Sequence, residues 1–521
     1  MSDFDAIVIG SGFGGAITSC RLAEAGYKVL VLERGRRWSP QSFPRTATDP
    51  WIFDPEAPQT RNGWFDFRVF KHMTVAAGAG VGGGSLVYAN ISIEAKKDTF
   101  DAGWPPEISY SELQPHYATV GQMLNVQRVP QRQWPLRTQL VKDAADNLGL
   151  GDRFRTLDLA VSFDPEFTYD TSNPHSTARS KSFVNAQGVT QGTCVHLGNC
   201  DIGCDVNARN TLDLNYLALA EQKGAEVRPL HQVTAIAPDA GGYRVSFNRI
   251  VPPNLVPGAA TARIVIVAAG SIGSTELLLR CRDQHKTLPA LSARLGRGWS
   301  SNGDFLTPAI HPFRAVEPSR GPTITCAIDL LDHAADGRDV FIEDGGLPDL
   351  LQGTLRRWTA DGSDDMRMLA MIESVRPLLT ANNLTEHVMP WFAQSRDAAD
   401  GRMALKNGKL DLDWDITASE ATIEAVVHMH QKLARATQGL ALTPLTWTIN
   451  RDLITPHPLG GCNMGRSTAD GVVGHDGEVF GYKKLFVADG AIVPKAIGLN
   501  PSRTIGALAE RVAKLITSRG A

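Results

Sequence analysis

The feature that most constrains this chain is a run of glycines set between a short apolar strand and a helix near its start. Ala6-Ile7-Val8-Ile9 is the β-branched apolar run that a strand buried on both faces requires. It leads into Gly10-Ser11-Gly12-Phe13-Gly14-Gly15, and residues 16–25 then carry small and apolar side chains at helical spacing, up to a stop at Gly26. Val29-Leu30-Val31-Leu32 supplies the next strand. The pattern predicts a βαβ unit and hence a parallel sheet with right-handed crossovers. Gly10 permits the tight turn, Gly12 lets the backbone approach a pyrophosphate, and Gly15 lets helix and strand pack closely. The pyrophosphate then meets free N–H groups at the helix start, where the dipole favours negative charge. Glu33 follows Gly15 by 18 residues, where a carboxylate binds ribose hydroxyls and repels the 2′-phosphate of NADP. A merely Gly-rich turn leaves Glu33 unexplained.

Two further apolar strands lie far downstream, at residues 263–270 and 485–490, each running into small residues. The nucleotide sheet is therefore expected to be assembled from distant pieces, with other material inserted at roughly 100–190 and 305–450. A chain of 521 residues exceeds what one core supports, so at least two domains are expected. The second insertion contains strand-like stretches at 339–342 and 410–414, an amphipathic helix near 419–437, and aromatic residues including Trp358 and Trp391. It reads as a substrate-binding part laid over the nucleotide sheet.

Composition narrows the partners. With 52 basic against 55 acidic residues and a net charge of -3, nothing calls for nucleic acid or an anionic membrane. The sequence shows neither a secretion leader nor an apolar run of about 18 residues, so a cytoplasmic protein without a membrane span is expected. Seven cysteines, an odd number, suit a reducing compartment. Cys194, Cys200 and Cys204 cluster with His196, but C-x5-C-x3-C fits neither structural zinc nor a cubane cluster, so no metal is expected. His428 and His430, two apart on a helix, point to different faces.

A second glycine-rich segment decides between nucleotide cofactors. Residues 78–90 read Gly-Ala-Gly-Val-Gly-Gly-Gly-Ser-Leu-Val-Tyr-Ala-Asn, a density that suits neither helix nor strand but fits backbone lying against a planar ligand. Gly80-Val81-Gly82-Gly83-Gly84-Ser85, followed by Ala89-Asn90, resembles the first signature of the glucose–methanol–choline oxidoreductases. Gly270-Ser271-Ile272-Gly273-Ser274-Thr275 resembles the second. Val487-Ala488-Asp489-Gly490-Ala491 and Gly498-Leu499-Asn500-Pro501 are similar to the closing flavin segment, and the motifs run in family order along nearly the whole chain. Within the family, the runs 209–217, 341–344 and 457–461 resemble bacterial cholesterol oxidases.

The resemblance implies an α/β fold: a discontinuous Rossmann-like FAD-binding domain (1–100, 190–304 and 451–521) with an inserted α+β substrate-binding domain (101–189 and 305–450). It implies FAD, expected to be non-covalent because no His is clearly placed for attachment, held by Gly10, Gly12, Phe13, Gly14, Gly15, Glu33, Arg34, Gly80, Gly82, Gly83, Gly84, Ser85, Asn90, Val233, Asp489, Gly490, Asn500 and Pro501. It also implies a steroid-like substrate, with oxygen or another electron acceptor as partner. By the same resemblance, His457 and Asn500 face the substrate carbinol. Oxidising an alcohol needs a proton to leave oxygen as hydride leaves carbon; an imidazole handles that proton near neutral pH, and an amide holds the oxygen. Glu343, in the apolar run Val340-Phe341-Ile342-Glu343, is expected to have a raised pKa, and the same resemblance makes it the candidate proton shuttle for moving a double bond. The bland reading of Glu343 is a solvent-facing strand-end carboxylate like the adjacent Asp344. The rival functions are an isomerase working through Glu343 and a NAD-dependent dehydrogenase, against which residues 80–84 argue.

Overall fold

The computed structural model describes residues 2–170, 172–173, 176–348 and 384–519. The expected βαβ unit opens the chain. Phe4–Ile9 and Val29–Leu32 pair in parallel, Ile7 opposite Leu30, and helix Phe13–Glu24 connects them. All four residues of Val29–Leu32 are buried, as a strand covered on both faces should be.

The sheet then recruits distant chain. Asn254–Val267 pairs in parallel with Phe4–Ile9 through its second half, and Leu485–Val487 pairs in parallel with its last three residues. Glu226–Arg228 extends the sheet beyond Val29–Leu32. The first half of Asn254–Val267 belongs instead to an antiparallel meander with Gly242–Val251 and His231–Asp239, which makes seven strands among the described residues. The strand expected at 263–270 is thus the end of a longer one. Pro257 and Gly258 disguise its start, and a proline is tolerated there because that half pairs on one side alone.

Helix Ser502–Ser518 covers the opening helix. A Cβ on Gly506 would lie 3.2 Å from both Ile17 and Val120, so glycine sets the close crossing. Arg21 clamps Glu510 through two 2.8 Å hydrogen bonds. Tyr110–Met123 packs on the same helix, with the Tyr117 hydroxyl 2.9 Å from the Thr504 hydroxyl. Leu136–Asn147 instead packs toward a second sheet, so the stretch 101–189 touches both halves of the molecule.

The second sheet is antiparallel, in the order Leu440–Ala441, Phe305–Ile310, Val388–Ser395, Arg338–Asp344, Cys326–Ala335, Phe154–Thr156. The period of two along a strand sorts its side chains. Thr307 and Trp391 turn to helix Glu420–Ala436, where buried His430 lies 2.9 Å from the Thr307 hydroxyl; Leu306 and Phe392, one residue away on each strand, turn to the opposite face. A smaller sheet joins the halves: Leu453–Thr455 runs parallel to Met73–Gly78, which itself leads into the second glycine run. Trp358 lies outside the described residues. No helix among them is long and apolar enough to cross a membrane.

Candidate active site

A cavity of about 840 Å³ runs between the ends of the central strands and the second sheet, in the upper part of the ~300–1,000 Å³ range of ligand pockets. One end is lined by the first fingerprint (Gly10, Gly12, Phe13 and Gly14), by Glu33, Arg34 and Val233, and by Asp489 and Gly490. The other end is lined by Leu306, Phe392, His457, Asn500 and Pro501.

The first end is built largely from backbone. The turn at Gly10 has φ +95°, and a Cβ there would sit 2.4 Å from Ala268 O. Gly83 has φ +52°, and its Cβ would sit 2.5 Å from Gly12 Cα, so the two glycine runs lie back to back. Around a Cβ on Gly84 there is nothing within 4 Å, and around one on Gly12 nothing within 3.7 Å. These are open backbone surfaces on the cavity, a cradle that side chains would fill and that suits a pyrophosphate and a flat ring. Glu33 is fixed by the Ser11 amide at 3.1 Å, the Ser11 hydroxyl at 2.6 Å and the Gly35 amide at 2.8 Å, with its carboxylate at the wall. Arg34 is paired with Asp66 at 2.8 Å. Asp489 accepts from the Gly270 amide and the Ser274 hydroxyl, and burial raises its pKa. Donor set and shape fit a dinucleotide.

Not every residue of the resemblance reaches the wall. Gly15, Gly80, Gly82, Ser85 and Asn90 lie behind it. A Cβ on Gly15 would meet Gly10 O at 2.0 Å, and one on Gly80 would strike Trp38. Ser85 ties its loop together, donating to Gly82 O at 2.8 Å and accepting from the Leu212 amide. Asn90 holds φ +67° and accepts from Arg209 at 2.7 Å. These residues shape the cradle.

At the second end, His457 follows the strand Leu453–Thr455. Its Nδ1 lies 2.9 and 3.1 Å from the two oxygens of Asp304, which is buried. The Thr455 hydroxyl donates to Asp304 at 2.6 Å and accepts the His457 amide at 2.9 Å. With Nδ1 donating to the carboxylate, Nε2 is the nitrogen left for the cavity. Asn302 holds the neighbouring loop, accepting from the Ile497 and Gly498 amides and donating to Leu499 O at 2.9 Å. The segment 300–304 therefore fixes both His457 and the approach to Asn500.

Glu343 lies behind Asn500 rather than on the wall. It is 0% exposed and accepts from Gln394 at 2.9 Å and from Asn500 at 3.4 Å. Burial pushes its pKa up to about 8, against the lowering effect of Gln394 and Asn500. Among the described residues, three buried oxygens here have no hydrogen-bond partner: Glu343 Oε1, Gln394 Oε1 and Asn500 Oδ1. The expectation that Asp344 faces solvent is overturned: it is 0% exposed, bound by Arg137 at 2.9 Å and by the Thr325 and Cys326 amides. Strand alternation puts Asp344 on the other face from Glu343, where buried Arg137 compensates its charge.

Cys194 and Cys200 are buried and Cys204 partly so; burial raises the Cys194 and Cys204 thiols. His196 sits between Gln133 and Tyr169, and burial lowers its pKa to about 3. Sequence reasoning missed Asp304, Gln394 and Asn302. Asn302-Gly303 could be read as a turn, but nothing in the spacing pairs residue 304 with residue 457.

Residues 8–72 match the model of an NAD(P)-binding Rossmann-like domain, and residues 356–509 match that of the GMC oxidoreductases. A cholesterol oxidase of Acinetobacter baumannii is 30% identical over 99% of this chain and 95% of its own length. One of Mycobacterium tuberculosis is 32% identical over 99% and 92%. Among solved structures, pyridoxine 4-oxidase from Mesorbium loti superposes with a TM-score of 0.66 at 17% identity, covering 98% of each chain. Full-length similarity to two cholesterol oxidases, with the family's C-terminal match falling on the segment that carries His457 and Asn500, places this chain in the glucose–methanol–choline oxidoreductase family.

Proposed function

We propose that this chain oxidises a bulky hydrophobic secondary alcohol of the 3-hydroxysteroid class, using FAD held without a covalent bond. The observation that carries the reading is the Asp304–His457 pair, whose imidazole lines, with Asn500, Leu306 and Phe392, a cavity that also holds a dinucleotide cradle. FAD, when bound, would supply the hydride acceptor, with oxygen or another acceptor as the final oxidant. Gly12, Gly84 and the helix start at Phe13 would hold its phosphates and ring, and Glu33 would hold its ribose.

The substrate hydroxyl donates to His457 Nε2, which takes the proton as the carbon–hydrogen bond breaks. Asp304 keeps Nδ1 protonated beforehand and stabilises the imidazolium afterwards. Asn500 gives one amide hydrogen to Glu343 and offers the other to the substrate oxygen. Leu306 and Phe392 exclude water from the reacting carbon. The relatives named cholesterol oxidases support the substrate class.

Glu343 supports a second activity, double-bond isomerisation of the ketone product. A carboxyl titrating near 8 is mostly neutral at pH 7 and becomes a base above it, and Asn500 must turn aside for it to reach the cavity. The test is product analysis by chromatography after turnover of a 3-hydroxy-5-ene steroid. A conjugated 4-en-3-one supports both steps and a 5-en-3-one supports oxidation alone. No ketone with any 3-hydroxysteroid contradicts the proposal. Acid precipitation leaving a colourless pellet and a yellow supernatant supports non-covalent FAD.

A further inference from the structure

We propose that Asp201, with Thr323, forms a polar subsite in the substrate chamber that accepts a hydroxyl group at the end of the substrate remote from the reacting carbinol. The inference rests on the function proposed above and adds a substrate class: a sterically large diol rather than a monohydroxy hydrocarbon.

Asp201 lines the same cavity as His457 and Asn500, together with Thr323, Ile324 and Leu347. Its backbone is anchored, since the Trp64 indole donates to Asp201 O at 2.9 Å. Its carboxylate is not. Among the described residues it accepts one side-chain hydrogen bond, a long one of 3.3 Å from the Thr323 hydroxyl. The buried aspartates Asp344 and Asp397 are held far more fully. Asp344 has Arg137, two amides and the Thr325 hydroxyl; Asp397 has the Ser300 and Ser301 hydroxyls and the Ser301 amide. Asp201 is itself only partly buried, and its unfilled acceptor capacity is open to the cavity it lines. The accessible part of Asp201 faces the cavity, so the missing partner is a group that enters the cavity. Burial lifts its pKa to about 6, which leaves the carboxylate ionised and accepting at neutral pH.

The topology sets the reach. Thr323 precedes Ala327 by four residues, at most about 14 Å of extended chain. Ala327 pairs with Glu343, and Glu343 accepts from Asn500. Thr323 and Asn500 are thus joined through adjacent strands on the wall of one cavity. Around it, Ile324, Leu347, Leu306 and Phe392 offer apolar surface for the body of such a skeleton. A hydroxyl that donates to Asp201 and accepts from Thr323 would satisfy both partners at once.

The test compares flavin reduction of the FAD-loaded enzyme by androstane-3,17-diol and by androstan-3-ol, in the wild type and in Asp201→Leu and Asp201→Asn. The wild type should prefer the diol, in the ratio of the two kcat/KM values, by about 10- to 100-fold, the discrimination expected when one charged hydrogen bond is made or lost. Asp201→Leu should collapse that ratio to near one or invert it, and Asp201→Asn should keep part of it. Wild-type reduction by both steroids with no preference, or an unchanged ratio in Asp201→Leu, overturns the subsite while the proposed function stands. Loss of flavin or a shifted flavin band in both variants overturns it as well, by putting Asp201 against the cofactor. Reduction by neither steroid overturns the proposed function and the subsite with it.

Discussion

The two ends of the cavity are made differently. The dinucleotide end is backbone: Gly10, Gly12, Gly83 and Gly84 work by lacking a side chain, and two glycine runs meet there main chain to main chain. The substrate end is side chains delivered from far apart, with Asp304 meeting His457 and Glu343 meeting both Gln394 and Asn500. A backbone site tolerates no added atom, while a side-chain site tolerates substitution of shape and loses chemistry instead.

Substitutions can break that contrast or sharpen it. The largest effect is expected at the backbone end. In Gly83→Val, the new Cβ meets Gly12 Cα at 2.5 Å with φ at +52°, so the variant should lose its flavin and much of its soluble yield. Flavin absorbance per protein reads this directly, and a yellow, active variant would break the contrast. Next comes His457→Gln, which should keep the flavin but slow its reduction by about 10²–10⁴-fold, the usual contribution of a general base. Asp304→Ala should cost less, about 10–100-fold, in line with losing the group that orients an imidazole. Because Asp304 acts through His457, the pH profile of reduction should move as well, with partial recovery in Asp304→Asn; a fall in rate at an unchanged profile would mark a merely structural role.

The smallest effect concerns stability. Glu343 in the folded chain titrates near 8 against an ordinary 4.5, so the folded state keeps a proton that the unfolded state gives up across that window. Its contribution to stability is therefore full below about pH 4.5 and is lost as pH rises through about 8. Glu343→Gln carries no such loss, so its melting temperature should gain on the wild type between pH 5 and pH 8, by a few degrees. A gap that stays constant with pH would mean Glu343 is not the titrating group.

The same contrast explains what could be read from the sequence. Gly10 to Gly15, Glu33 and residues 80–84 announce themselves because glycines needed for close approach occur in short, ordered runs. His457 and Asn500 were legible through the motifs around them. Asp304, Gln394 and Asp201 were not, because each matters only through strand register and loop placement that join residues more than 50 positions apart. Asp344 shows the same limit from the other side. Its neighbour sequence suggests exposure, and only the distant Arg137 explains its burial. The long strand Asn254–Val267 was half hidden, since Pro257 and Gly258 signal a turn wherever the edge of the sheet is not known.

The central claim is that the carbinol of a large hydrophobic alcohol meets His457 in front of a bound flavin. Anaerobic mixing of the FAD-loaded protein with a 3-hydroxysteroid, followed at the flavin absorbance band, tests it most directly. The account predicts rapid bleaching in the wild type, bleaching at least a hundredfold slower in His457→Gln, and recovery of the band when an electron acceptor is admitted. A flavin that stays oxidised with every 3-hydroxysteroid, or one that bleaches equally fast in His457→Gln, would contradict it.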